Sequence, residues 1–377
     1  MDYHDFLRPK RILMTSDAAG GVWTYSLELA RALSGYGIEV FLATMGPPLN
    51  PGQRSEAGRI SNLKIMESRF KLEWMENPWE DVEKAGFWLL ELEDRINPDV
   101  IHLNGYAHGA LPFRSPKLVV GHSCVASWWE AVKRSPPPPS WDRYRREVAQ
   151  GIAAADMVAA PTEAMFWLLV KHYGSIDCGR VIYNGRDPKA FKPGNKQPFI
   201  LSAGRLWDEA KNFSAVDRIA SRLPWTVYTA GEGATAAAGG ARHLGYLPPR
   251  ALAHWYSLAS IYVLPARYEP FGFTVLEAAL SGCALVLGDI SSLREIWDEA
   301  ALFVPPDEFG ALEESVRRLI HNPALRRDIC SRAYRRALEF TPRRMAEGYA
   351  AIYRELAEGW HIRNGFLTHR SAADRKT

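Results

Sequence analysis

The sequence predicts an α/β protein built from two doubly wound, parallel-sheet domains. Three observations carry this. Short apolar runs alternate with stretches of helical spacing along the chain, a Gly-, Pro-, Asn- and Lys-rich break falls at residues 184–198, and the same alternation then starts again. Strands separated by helices join through crossovers rather than hairpins, so they assemble into parallel sheets with helices on their faces. A chain of 377 residues is long enough for two such cores.

Taken in order, residues 11–15 read as a buried strand. A helix over 22–36 follows, with apolar residues at Val22, Tyr25, Leu29 and Leu33. Residues 38–44 read as a strand, Val82, Ala85, Leu89, Leu92 and Ile96 mark a helix, and strands follow at 99–103, 117–121, 157–160 and 180–183. The proline run 136–139 is a stiff loop ahead of a helix. Beyond the break, which reads as an interdomain linker, strands are expected at 199–203, 226–230, 261–264, 284–287 and 302–304, with a helix from Asn212. Helices over 308–321 and 324–340 close this half. Pro342 suits the first position of a last helix reaching about Trp360, and the polar tail 363–377 is expected to fray.

Composition narrows the function classes. Hydrophobic residues make up 47% and charged residues 24%, as in ordinary globular proteins. A formal net charge of +3 is too small to argue for nucleic acid. No apolar run is long enough to span a bilayer, and residues 1–9 do not read as a secretory signal. Cys124, Cys178, Cys283 and Cys330 form no CxxC pair and no zinc spacing, so they read as free thiols in a reducing compartment, the cytoplasm. Arg54, Arg59, Lys64, Arg69 and Lys71 interleave with Phe70 and Trp74, a pattern that suits either a peripheral contact with anionic lipid or a solvated loop. Among the 13 tryptophans, Trp128, Trp129, Trp74 and Trp79 lie near segments that could meet an acceptor.

Three segments carry chemistry. In RYEPFGFTVLE (267–277), Glu269 and Glu277 flank a glycine turn that follows a strand and opens a helix near Thr274. Backbone N–H groups and the helix dipole at such a turn attract phosphate, Glu277 is placed for a ribose diol, and Glu269 for sugar hydroxyls. A capped turn with a surface glutamate fits the same residues. In GRLWDEAKN (204–212), Arg205 and Lys211 stand at the C-terminal end of a strand, where open parallel sheets bind ligands, and two such cations can clamp a pyrophosphate. A solvated loop is the plainer alternative. In SDAAGGV (16–22), Gly20 and Gly21 permit close backbone approach at a helix start but do not complete a dinucleotide fingerprint, and a plain tight turn is equally compatible. His122, at the rim of the first sheet, suits either a cleft contact or a structural role, and so do Asn104 and His108 in HLNGYAH (102–108).

These elements, in this order and with YNGRD (183–187), Phe191, GEG (231–233) and HLGYL (243–247), resemble glycosyltransferase family four over nearly the whole chain. Two departures stand out: Arg186 occupies a position that is usually apolar, and the GEG segment lacks its usual following proline. The resemblance implies the GT-B fold, two Rossmann-like domains facing a central cleft. Residues 1–185 would bind the acceptor, 186–341 the nucleotide-sugar, and the helix of 342–377 would pack back on the first domain. It also implies a retaining, metal-independent hexosyltransferase with a UDP-, GDP- or ADP-sugar as co-substrate and no cofactor. Arg205 and Lys211 would hold the diphosphate, helped by Gly20, Gly21, Phe271, Gly272, Phe273 and Thr274. Glu277 would hold the ribose, and Gly245, Tyr246 and Leu247 the base. Glu269 and His122 would orient the sugar, and Asn104 and His108 would meet the acceptor. A sugar phosphorylase, a nucleotide-sugar epimerase and a catalytically silent nucleotide-sugar-binding subunit remain as alternatives.

Overall fold

A computed structural model of the chain describes residues 9–18, 20–233 and 240–363. The polar tail and the first eight residues lie outside the described residues. Seven parallel strands form the first sheet: β1 (Arg11–Asp17), β2 (Glu39–Met45), β3 (Leu63–Glu67), β4 (Val100–Leu103), β5 (Lys117–Val120), β6 (Met157–Ala160) and β7 (Gly179–Val181), in the order β3-β2-β1-β4-β5-β6-β7. Six parallel strands form the second: β8 (Gln197–Ala203), β9 (Thr226–Ala230), β10 (Arg242–His243), β11 (Ala259–Leu264), β12 (Ala284–Gly288) and β13 (Leu302–Val304), in the order β10-β9-β8-β11-β12-β13. β3 and β10 are edge strands that the sequence reading does not anticipate. β3 is only partly buried and β10 is exposed, so neither carries a full apolar run. The linker is also shorter than its composition suggests, because Gln197 and Pro198 already belong to β8.

Both faces of each sheet are covered, and successive side chains on a strand serve opposite layers. On β1, Ile12 and Met14 pack with the helix Gly21–Leu33, while Leu13 packs on the other face with Leu89 and Leu92. The C-terminal helix Pro342–Arg363 crosses back and joins the first layer through Met345, Tyr349, Tyr353 and Leu356. A Cβ on Gly348 would lie 2.6 Å from Ile182 Cδ1, so glycine permits the close approach. Farther along this helix Trp360 Nε1 donates to Arg114 O at 2.6 Å, and Arg363 pairs with Asp156 at 2.9 Å.

A buried polar bracket ties this helix to the sheet. The Tyr353 hydroxyl meets His102 Nδ1 at 2.7 Å, and His102 Nε2 faces Asn104 Oδ1 and the Tyr25 hydroxyl, each at 3.2 Å. Burial, and to a lesser extent His122, pushes the His102 imidazole down to about 3, so it is neutral at physiological pH. Burial alone does the same to His122.

Two predictions follow from this bracket. Tyr353→Phe leaves a buried ring nitrogen without its partner and should destabilise the fold by about 1–3 kcal/mol, read as a lower urea midpoint with unchanged slope; an unchanged midpoint would mean the helix docks without this bond. Second, His102 titrates near 6.5 when unfolded and about 3 when folded, so the unfolded chain binds the extra proton within that window. The stabilisation is complete above about pH 6.5 and is lost as pH falls, by roughly 1.4 kcal/mol per pH unit for this group. His102→Gln should flatten the decline between pH 6.5 and 5 by one proton's worth; equal slopes in both proteins would refute the assignment.

Candidate active site

In each sheet the strand order reverses beside the domain's first strand, between β1 and β4 and between β8 and β11. Crossovers leave to opposite faces there and open a crevice at the carboxyl ends of the strands. The segments singled out in the sequence come from those ends. Gly20 and Gly21 follow β1, Asn104 follows β4, His122 follows β5, Arg205 follows β8, and Glu269 and Gly272 follow β11.

The two segments of the second domain dock on each other. Arg267 N–H donates to Ala210 O at 2.8 Å, and Lys211 Nζ lies 2.8 Å from Glu269 Oε2, with both side chains largely buried. Asp208 organises the loop: its carboxylate accepts from Arg205 at 2.9 Å and from Ala210 N–H at 3.0 Å. Burial opposes ionisation of Asp208, but Lys211 and Arg205 outweigh it and hold the carboxyl below its usual range. Asp208 is not among the expected site residues, although an acidic residue between two cations is a legible signal in the sequence. Arg205 also lies over the exposed Trp207 ring, 5.3 Å from its centroid. The turns after β8 and β9 touch so closely that a Cβ on Gly231 would lie 1.7 Å from Gly204 O.

Gly272 adopts φ 91° and caps the helix Phe273–Leu280, whose first N–H groups have no intrahelical acceptor. Across the cleft Gly20 adopts φ 74° and caps the helix Gly21–Leu33. A Cβ on Gly20 would stand 3.5 Å from an Arg205 guanidinium nitrogen, and one on Gly21 would stand 3.6 Å from Phe273 Cδ2. The fold therefore brings Gly20, Gly21, Arg205 and Phe273 together, with Lys211 and Glu269 joined through the loop docking. Gly245, whose carbonyl accepts from Gly231 N–H at 2.9 Å, holds its turn beside the same loops, and Tyr246 is 59% exposed.

Other positions differ from the sequence expectation. Phe271 is buried in the second core against Phe273 and Phe340, so its ring does not line the cleft. His108 is buried, with Nε2 3.0 Å from Val82 O, and packs inside the first domain rather than facing an acceptor. The Asn104 side chain accepts from His122 Nε2 at 2.8 Å and donates to Thr15 O at 2.7 Å, so its amide is spent on joining the ends of β1, β4 and β5. His122 is thereby aimed, its ring edge set against Tyr25 at 4.5 Å between centroids. Glu277 is buried and paired with Arg186 at 2.9 Å. Trp128 donates across the domain boundary to Asp208 at 3.2 Å. In the basic stretch, Arg54 pairs with Glu67 and Lys64 with Glu39.

Tyr268, inside the glutamate motif, is a second function the sequence reading misses. Its hydroxyl reaches into the first domain, 2.8 Å from Ser127 Oγ, while Thr162 donates to Pro270 O at 3.0 Å. The motif is an interface segment as well as a cleft segment, which only the packing reveals. Among the described residues no group of three or more His, Cys, Asp or Glu side chains could hold a metal, and no helix is long and apolar enough to cross a membrane.

Comparison with known proteins agrees with this geometry. Residues 19–190 match the model of Glycosyltransferase Family 4, and residues 185–336 match that of Glycosyl transferases group 1. The chain is 27% identical to O-antigen chain mannosyltransferase B of Escherichia coli over 39% of its own length and 34% of that protein's. It is 27% identical to alpha-D-kanosaminyltransferase of Streptomyces kanamyceticus over 30% of each chain. The similarity thus spans only about a third of these two relatives. It is 24% identical to the D-inositol 3-phosphate glycosyltransferase of Streptomyces bingchenggensis over 95% of this chain and 93% of that one. Among solved structures, sucrose-phosphate synthase of Thermosynechococcus elongatus shares the fold at a TM-score of 0.79, with 19% identity, covering 93% of this chain and all of that one. HepE of Anabaena in complex with UDP and glucose shares it at 0.72, with 16% identity, covering 91% and 99%. Two glycosyltransferase models in succession, over a two-sheet fold of this kind, identify the chain as a member of the family-four, group-one glycosyltransferases.

Proposed function

We propose that this protein moves a sugar from a nucleotide-sugar to an acceptor hydroxyl with retention of configuration and without a divalent metal. The observation that carries the reading is the meeting of Lys211 and Glu269, 2.8 Å apart, at the ends of two adjacent switch-point strands, beside Arg205 and opposite the Gly20 turn. A diphosphate placed there meets two cations and the first N–H groups of two helices, and an adjoining sugar meets Glu269 and the neutral His122. The similarity to glycosyltransferases and to a fold neighbour solved in complex with UDP and glucose supports a nucleotide-sugar donor.

In this reading Arg205 and Lys211 stabilise the leaving diphosphate, and Glu277 accepts from the ribose. The turn at residues 245–247 borders the base. The bond between the anomeric carbon and the diphosphate oxygen breaks, with its electron pair going to the phosphate. The acceptor oxygen attacks from the same face and passes its proton to the departing phosphate oxygen. Positioning and electrostatic stabilisation supply the acceleration, and a cleft shielded from water limits hydrolysis.

Glu269 and Glu277 separate the two halves of the donor. Glu277→Ala should weaken nucleoside diphosphate binding by about 1–3 kcal/mol. Glu269→Ala should leave that affinity nearly intact while lowering transfer from the full donor. Calorimetry beside transfer kinetics tests both arms, and equal loss of nucleoside diphosphate affinity in the two variants would remove this division of roles.

Because the two cations supply the charge that a metal would otherwise bring, transfer should persist in excess EDTA. Abolished turnover that magnesium or manganese restores would show that the leaving-group chemistry is different.

A further inference from the structure

Arg186 sits where the chain passes between the domains twice. Its backbone N–H donates to Phe340 O at 3.1 Å, and a Cβ on the preceding Gly185 would lie 2.3 Å from the Thr341 carbonyl carbon. The outgoing linker is therefore packed directly on the start of the returning C-terminal helix. From this fixed point the guanidinium reaches both domains. One nitrogen lies 2.7 Å from Glu28 Oε1 on the helix Gly21–Leu33, and another lies 2.9 Å from Glu277 Oε1 on the helix Phe273–Leu280. The three side chains are only 8–12% exposed, and the guanidinium also rests 4.9 Å from the Phe191 ring centroid. Arg186 Nε and Glu28 Oε2 are buried without a hydrogen-bond partner.

An apolar side chain at this position would pack there at less electrostatic cost. Two buried carboxylates on different domains share one guanidinium, so removing any member leaves charge uncompensated in a poorly hydrated site. The ion pair engages one oxygen of Glu277, which restricts how the carboxylate is presented to a ligand. We propose that Arg186 is a positioning residue for nucleotide binding: it aims the Glu277 carboxylate at the nucleoside and, through Glu28, makes the grip on the nucleotide depend on the N-terminal domain. By linkage, a bound nucleotide then tightens the contact between the domains by the same factor. The inference rests on the reading of Glu277 as the nucleoside-binding carboxylate.

The arrangement has a pH signature. Burial raises the Glu277 carboxyl above the usual carboxylate range, and Arg186 offsets only part of that rise. Glu28, Arg31 and Glu56 face this cluster from the first domain, Asp187 from the linker, and Tyr256 and Tyr262 from the second domain. Without the guanidinium, Glu277 would keep its proton to higher pH and would lose acceptor strength as pH falls.

The test is calorimetry of UDP, GDP and ADP with the full chain between pH 6 and 8. For whichever nucleotide binds best, Arg186→Met should weaken affinity on the order of tenfold, the typical scale of coupling between contacting charged groups. The deficit relative to the unaltered protein should shrink as pH rises, and R186K should recover part of it. Glu28→Gln, on the opposite domain, should also weaken affinity and should add nothing once Arg186 is methionine. R186K and E28Q keep the test open if R186M does not fold. Wild-type affinity in these variants at every pH, or strictly additive losses in E28Q and R186M, would overturn the role of Arg186. A starting protein that binds none of the three nucleotides would instead overturn the nucleotide-sugar reading beneath it.

Discussion

Parallel strands all end on the same edge, and a sheet that extends in both directions from its first strand opens a crevice on that edge. The rest of the molecule depends on this constraint, imposed twice. β1 lies between β2 and β4, and β8 lies between β9 and β11, so each domain has one reversal point. Apart from the 245–247 turn, which follows the edge strand β10, the candidate ligand groups of the cleft are delivered by connections leaving strands at or next to these points. The close approach of Gly20 to Arg205 and of Gly21 to Phe273 shows that the two edges face each other.

Charge in the cleft is arranged ahead of any ligand. Arg205 is held by Asp208, and Lys211 by Glu269. Fixed donors lower the reorganisation required when charge develops on a leaving group, which is where electrostatic catalysis gains its advantage. The carboxylates that hold the cations have different surroundings. Asp208 is buried and bonded to a backbone N–H and to Trp128, so its role is scaffolding. Glu269 is restrained through its own backbone, whose carbonyl accepts from Ser292 at 2.5 Å, leaving its carboxylate to face the cation.

The seam between the domains combines apolar packing, through Ala210, Tyr268 and Phe273, with polar contacts. Besides the Tyr268 and Thr162 contacts, the Glu295 carboxylate accepts the N–H groups of Glu163 and Ala164 at the start of the helix Glu163–Tyr173, where the helix dipole favours an anion. Lys133 pairs with Glu209 at 2.8 Å across the same boundary. Exposed ion pairs of this kind contribute little each, because water and salt screen them. The buried cluster around Arg186 is of another kind, since its charges exchange partners with water only at substantial cost.

The sequence by itself determined the alternation of strands and helices, the break between the two halves, the helix that Pro342 starts, and the residues of the cationic and glutamate segments. All of these are local: periodicity, turn composition and motif spacing are written in neighbouring residues. Edge strands β3 and β10 escaped because half-buried or exposed strands need no apolar run. Tertiary structure alone decided which side chains are free to meet a ligand. His108 and Phe271 carry the right chemistry in suggestive segments, yet packing buries them. Asn104 is used up by Thr15 and His122, and one Glu277 oxygen is held by an arginine about ninety residues earlier, which fixes how the carboxylate is presented. Such partnerships join residues far apart in the chain, and spacing along a sequence carries no information about them until the sheets are assembled and the domains face each other.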